Sequence, residues 1–287
     1  MHASYPCHAL HYKNVPQVRR VGSDAPWRSE PLSHSDCLLR MLQSRGRICP
    51  LLEAPWVRTS IFRMDWLHVC DIGVCQDFAG NFFHEIMPLF PGDNKKEKCA
   101  AIFAELKADY DRLGIEDRMD CMLPTFFEHK DAAYKLRCSA AKARALPQIM
   151  YRLALEMLDP NVPKYAALRQ AAYHLSEVYA ALSESHPCPA DAMKEHGLKF
   201  ALQYVALHDY CSPNDEYSFR IKPKLHLFLH LVSDGSVPRQ TWTYRDEDFG
   251  GSVARMARRR GGQLSCKATS TTVLSRFKMK NPVIKFV

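Results

Sequence analysis

Lys164-Tyr-Ala-Ala-Leu168-Arg-Gln-Ala-Ala172-Tyr-His-Leu175-Ser-Glu-Val178-Tyr179-Ala-Ala-Leu182-Ser183 carries its apolar stripe at steps of three and four residues. That spacing puts Leu168, Ala172, Leu175, Val178, Tyr179 and Leu182 on one face of an α-helix. The same period governs the flanking sequence. Upstream, Asp93 can cap a helix whose apolar positions are Ile102, Phe103, Leu106, Tyr110 and Leu113, with Gly114 to close it. A second helix is expected from Ala132 to Leu158, kinked at Pro147 and ended by Asp159-Pro-Asn161. Downstream, Pro187-Cys-Pro189 separates the quoted helix from a fourth, Ala190 to Tyr210. Four consecutive amphipathic helices predict a helical bundle.

Outside the bundle the texture changes. Lys222-Pro-Lys-Leu-His-Leu-Phe-Leu-His-Leu-Val232 is apolar nearly all round and should be buried. Ser60-Ile-Phe-Arg-Met64 is β-prone and predicts a short strand ending at Asp65, followed by an apolar helical pattern from Val69 to Leu89. Residues 1–58 are rich in Pro, Ser, His and Arg; only Ser35 to Gln43 reads as helix, capped by Ser33 or Ser35. A basic helix is expected from Phe249 to Arg260.

The 287 residues suffice for one large domain or two modest ones, and 47% apolar with 24% charged residues is the composition of a globular chain. No apolar run approaches the ~18 residues a membrane span needs, and the N-terminus lacks a signal core. The expectation is a non-secreted protein, nuclear or cytoplasmic, that does not enter a membrane. Eleven cysteines occur without a Cys-x-x-Cys pair, which favours reduced, structural thiols, Cys70 and Cys75 among them.

The net charge of +8 is unevenly placed. Arg255, Arg258, Arg259, Arg260, Lys267, Arg276, Lys278, Lys280 and Lys285 all follow Gly251, and no acidic residue accompanies them. A one-signed stretch of this kind favours a polyanion such as nucleic acid; it also reads as a solvated tail or an import signal.

Three constellations could carry chemistry. Asp65-Trp-Leu-His68 sets a carboxylate where a strand would end and a His within reach of it, and equally fits a helix-capping Asp with a core His. Trp242-Thr-Tyr-Arg-Asp-Glu247-Asp-Phe-Gly-Gly251 sets three carboxylates before an arginine-rich helix. They suit either a metal ligand beside phosphate-gripping arginines or the positive end of a helix dipole. His226 and His230, four apart, have zinc-chelating spacing but no evident third ligand, and read better as buried structural histidines. The absence of a Gly-rich phosphate loop and of a Gly-x-Ser-x-Gly elbow excludes the common nucleotide-dependent enzymes and hydrolases.

Taken in order, these pieces resemble eukaryotic cut-and-paste transposases of the CACTA, hAT and related superfamilies. Asp65-Trp-Leu-His-Val-Cys-Asp-Ile-Gly-Val74 is similar to their Cys/Asp-x-x-His signature, and a long helical insertion follows it in that family. Lys222-Pro-Lys-Leu-His-Leu-Phe-Leu-His-Leu231 is similar to the element that re-enters the core. Trp242, Glu247 and Gly251 match the element bearing the last catalytic acid. The resemblance covers residues 59–265.

It implies a ribonuclease-H-like fold whose three carboxylates hold two Mg²⁺ ions, with DNA as substrate. The expected architecture is therefore mainly α, a helical bundle inserted into a partial ribonuclease-H-like α/β core with few short strands. Its parts would be a loop-rich segment at 1–58, partial core at 59–92, insertion at 93–218, core return at 219–265 and a basic tail at 266–287. The candidate catalytic residues are Glu247, Asp65 and His68, with Glu247 and Asp65 as metal ligands. Arg255, Arg258, Arg259, Arg260 and Lys267 are the candidate DNA contacts.

By the family's order both early Asp residues precede the Asp65-x-x-His68 motif. Residues 1–58 offer only Asp24 and Asp36, neither ending an apolar strand, and Met1 reads as an internal start. The front of the sheet is thus expected to be missing and the chain inactive alone, a DNA-binding remnant that could pair with itself or with a longer transposase. Two rival readings are a non-catalytic helical module binding nucleic acid or acidic partners through its basic C-terminus, and an unrelated metal enzyme built on His226, His230 and a carboxylate.

Overall fold

The computed structural model describes residues 21–22, 25, 33–57, 63–128, 132–182, 190–233, 238, 242–258 and 266–280. They are mainly helical. The chain divides into two compact units, residues 1–241 and 242–287.

The first unit is organised around one buried helix. A nine-residue π-helix, Leu67–Cys75, runs without a break into α3, Gln76–Ile86. Trp66, Cys70, Val74, Cys75, Phe78, Ala79, Phe82, Phe83 and Ile86 along it are almost wholly inaccessible. An apolar surface on every side can be satisfied only at the centre of a core, and other helices accordingly surround it. They are α4 (Lys95–Leu113), α5 (Ala140–Arg144), α6 (Leu146–Met157), α7 (Pro163–Ala180), α8 (Ala190–Cys211) and α9 (Pro223–Ser233). Contact passes from α6 to α7, α7 to α8, α8 to α9, α9 to the π-helix, and through α5 back to α6. Helices from before, within and after the 93–215 stretch therefore share one core. Edge-to-face aromatic pairs fill it, such as Phe78–Phe200 at 5.4 Å and Phe200–Phe228 at 5.7 Å.

Helix ends follow local chemistry. Before them, α1 (His34–Arg45) opens on a capping box, in which Asp36 N–H donates to Ser33 Oγ at 3.1 Å and Ser33 N–H to Asp36 Oδ2 at 2.9 Å. A single short turn, α2 (Pro50–Glu53), follows. Asn94, rather than Asp93, caps α4: its Oδ1 accepts from Glu97 N–H at 3.0 Å, while Glu97 Oε2 takes the Asp93 N–H at 2.8 Å. Gly114 ends α4 at φ 63°, in the left-handed region where a Cβ is costly.

Two expectations fail here. The predicted strand ending at Asp65 is absent where it can be followed: residues 63–65 have no regular structure, and Ser60, Ile61 and Phe62 lie outside the described residues. Among the described residues there is no strand at all, so a ribonuclease-H-like sheet is not seen in them. A β-prone run of five residues needs a neighbouring strand to pair with, and none is present among the described residues. The predicted helix from Ala132 to Leu158 is also replaced. Residues 133–139 are irregular, and Pro147 sits in the first turn of α6, where its missing N–H costs nothing, instead of kinking a longer helix.

That irregular segment has a different task. It crosses α3 so closely that a Cβ on Gly80 would lie 2.5 Å from the Lys135 backbone. Leu136 N–H donates to Gln76 O at 2.9 Å, Gln76 Nε2 to Cys138 O at 2.6 Å, and Asn81 Nδ2 to Tyr134 O at 3.3 Å. These bonds satisfy backbone groups that the core would otherwise leave unpaired.

The second unit contains α10 (Tyr244–Arg258) and α11 (Cys266–Lys280), which touch each other. The basic C-terminal stretch, expected as a tail, is thus helical over Cys266–Lys280. No helix among the described residues is long and apolar enough to cross a membrane.

Candidate functional site

Asp65 and His68 are brought together. Asp65 Oδ1 accepts from Leu67 N–H at 3.2 Å and its Oδ2 from His68 N–H at 3.0 Å, so the carboxylate caps the start of the π-helix. The same Oδ2 pairs with His68 Nδ1. Both readings of this motif are therefore partly met: Asp65 is a cap, yet His68 is no core residue, its side chain being 47% exposed. A carboxylate on Nδ1 fixes the ring's tautomer and orientation, which suits an acid/base group.

The donor set does not suit Mg²⁺. A hard ion of this kind seeks near-octahedral oxygen ligands, whereas Asp65 already holds two N–H groups and an imidazole, and its nearest side-chain partner is a nitrogen donor. Asp36, the other acid considered, is spent in the cap of α1, and Asp24 lies outside the described residues. Among the described residues no three His, Cys, Asp or Glu side chains converge to hold a metal ion.

Glu247 belongs to the second unit. With Asp246 it occupies the first turn of α10, exposed, its N–H donating to Thr243 O at 2.8 Å. Acidic side chains there face the positive end of the helix dipole. Arg255 is exposed on the same helix, which ends at Arg258; Lys267 is the second residue of α11; Arg259 and Arg260 lie outside the described residues. Arg255 also donates to Ser252 Oγ at 3.0 Å.

His226 and His230 are buried against each other, Nε2 to Nε2 at 3.0 Å with rings nearly perpendicular. One nitrogen must carry a proton and the other accept it, so the two Nε2 atoms are engaged with each other. Cys70 and Cys75 are likewise core residues. Burial holds both thiols well above their ordinary pKa, with the Asp71 charge adding to it, which keeps them protonated and unreactive.

The polar residues of greatest consequence in the first unit were not anticipated. Asp71 is wholly inaccessible and its Oδ1 accepts from Tyr179 Oη at 2.7 Å and Trp66 Nε1 at 3.1 Å. Burial, then the Asp71 charge, drives the Tyr179 hydroxyl well above its ordinary pKa, so it stays a donor. Asp77 receives Lys222 Nζ at 2.7 Å, and Asn81 Oδ1 accepts Phe219 N–H at 2.6 Å. Phe219 sits at φ 47°, a conformation a bulky residue adopts only when held there. The signal for all three was available: Asp71, Asp77 and Asn81, with Gln76, interrupt a largely apolar, buried stretch, and a polar group there must be paired.

Comparison of the chain with protein-family models, with curated proteins and with solved structures returns no match.

Proposed function

We propose that this chain is a transposase-derived DNA-binding protein that grips the phosphate backbone through its second unit and does not itself cut DNA. The observation carrying the DNA reading is the charge of that unit. From Gly251 onward it holds nine basic residues and no acidic one, and much of this stretch is helical rather than a loose tail. Single-signed charge on a folded surface attracts a polyanion over several ångströms and releases its counterions on contact.

Transposase ancestry is supported by how the motifs meet within the first unit. The Lys222-Pro-Lys element and the helix following Asp65-x-x-His68 are separated by the long helical stretch, yet α9 packs on the π-helix and Lys222 pairs with Asp77. The motifs on either side of the long helical stretch thus meet in one place, in a core to which that stretch also contributes. The ancestral activity implied is metal-dependent strand transfer, and the location it implies is the nucleus. The rival interaction-module reading shares the basic surface but not the motif order.

Incubation of the chain with labelled duplex in Mg²⁺ or Mn²⁺ tests the proposal. Retarded, intact DNA is expected. Cleavage or strand transfer that disappears in Glu247→Gln would refute the loss of activity, and absence of any retarded species would refute DNA binding.

A further inference from the structure

Helix α8 has two apolar faces where a helix on the outside of a core needs only one. Its inward residues, among them Phe200, Ala201, Tyr204, Leu207 and Cys211, are buried, and the helix packs on α7 and α9. The opposite face should then be polar. Instead Leu198, Leu202, Val205, Ala206 and Tyr210 follow one another along it at helical spacing. Leu202 is 45% and Tyr210 56% exposed, Ala206 is exposed too, and Leu198 and Val205 are half-buried. A continuous apolar strip bordered by charged residues marks a contact surface.

The charges on that face say what fits it. Lys199 lies toward the N-terminal end of the strip, where it pairs with Glu195 at 2.6 Å and keeps half its surface in water. Asp209 lies toward the other end, exposed and without a hydrogen-bond or ion-pair partner among the described residues. Both are five positions from residue 204, so they stand about 15 Å apart along the helix. A second α8 laid antiparallel, with a two-fold axis level with residue 204, sets each Lys199 opposite Asp209 of the other copy. The same register sets Leu202 opposite Ala206, a large side chain against a small one, and Leu198 opposite Tyr210. Parallel pairing would instead oppose lysine to lysine and aspartate to aspartate, which like-charge repulsion disfavours.

We propose that the outer face of α8 is a self-association surface through which two copies of the chain pair antiparallel. A two-fold interface must be complementary to itself, and this strip is so in both charge and side-chain size. It belongs to the first unit and uses none of the basic residues after Gly251, so it stands or falls separately from DNA binding by the second unit.

Analytical ultracentrifugation of the full chain without DNA, over a series of concentrations, tests the surface. A reversible monomer–dimer equilibrium is expected. Leu202→Glu sets two like charges near the two-fold axis and should abolish the dimer; circular dichroism checks that the variant folds. Lys199→Glu and Asp209→Lys should each weaken association about tenfold, because symmetry counts every altered pair twice. The double variant, with the charges exchanged, should recover most of the lost affinity. A chain that stays monomeric at every concentration would overturn the proposal and leave the face to a different protein. A dimer unchanged in folded Leu202→Glu, or a double variant that associates no more tightly than the single ones, would overturn it as well.

Discussion

Lys222 Nζ stands 2.7 Å from Asp77 Oδ1, joining residues 145 positions apart at the seam between α9 and the central helix. Asp77 is almost fully buried while Lys222 keeps partial access to water. Removing the lysine leaves a charge in the core without its partner. Lys222→Met should therefore cost about 2–4 kcal/mol of unfolding free energy. Asp77→Asn in the same chain should recover part of the loss. Urea denaturation of the two single variants and the double one measures this; strictly additive effects would show that the pair is not coupled.

Tyr179→Phe removes the hydroxyl that donates to the buried Asp71 and keeps the ring. The expected loss is about 1–3 kcal/mol, the penalty of an under-satisfied buried acceptor. Trp66 Nε1 still reaches the same oxygen, which keeps the cost at the lower end. A thermal midpoint unchanged by the substitution would show that the Tyr179–Asp71 bond does not hold the core together.

Gly80→Ala places a methyl 2.5 Å from the Lys135 backbone. Neither the buried helix nor the crossing segment can yield without breaking bonds from Leu136 and Asn81, so destabilisation of at least about 2 kcal/mol is expected. Gly114→Ala, where space is open and only the positive φ is at stake, should cost about 1 kcal/mol. Equal midpoints for the two variants would show that the crossing is loosely held.

How much of this was legible beforehand differs from element to element. The periodicity of Leu168 to Leu182 and the Gly114 stop translate directly into α7 and the end of α4, because amphipathic period and left-handed caps are local properties. The segment at 133–139, expected as helix, is irregular for the opposite reason. Its conformation is set by Gly80 and Gln76, more than fifty residues away, whose bonds outweigh local propensity. The strand expected before Asp65 depended on a sheet partner that no local pattern reveals. At the candidate site, the Asp65–His68 pairing followed from spacing alone. The Asp71–Tyr179 and Asp77–Lys222 pairs link positions 108 and 145 apart, which only the tertiary arrangement makes neighbours.

The pair His174–His196, Nδ1 to Nδ1 at 3.0 Å between α7 and α8, sets an acid limit on stability. Burial, then the neighbouring His196 and Lys199, lower the His174 pKa to about 4. The unfolded chain takes up this proton near the ordinary value of about 6.5, so the unfolded state binds more protons across that interval. Stability should fall as pH drops from about 6.5 to about 4, and His174 should add no slope above pH 7. In His174→Gln the difference from wild type should shrink across this window in urea titrations at successive pH values. A difference that stays constant from pH 7 to 4 would contradict the assignment.

The central claim is that the basic second unit holds DNA by its phosphates. Duplex affinity measured by fluorescence anisotropy against salt concentration tests it most directly. The logarithm of the binding constant should fall linearly with the logarithm of salt, with a slope of roughly −0.9 for each phosphate neutralised. Replacing Arg255, Arg258, Arg259 and Arg260 with Ala should weaken binding to all sequences alike and flatten the slope by up to about 3–4 units. Affinity and slope identical to wild type in that variant would contradict the account.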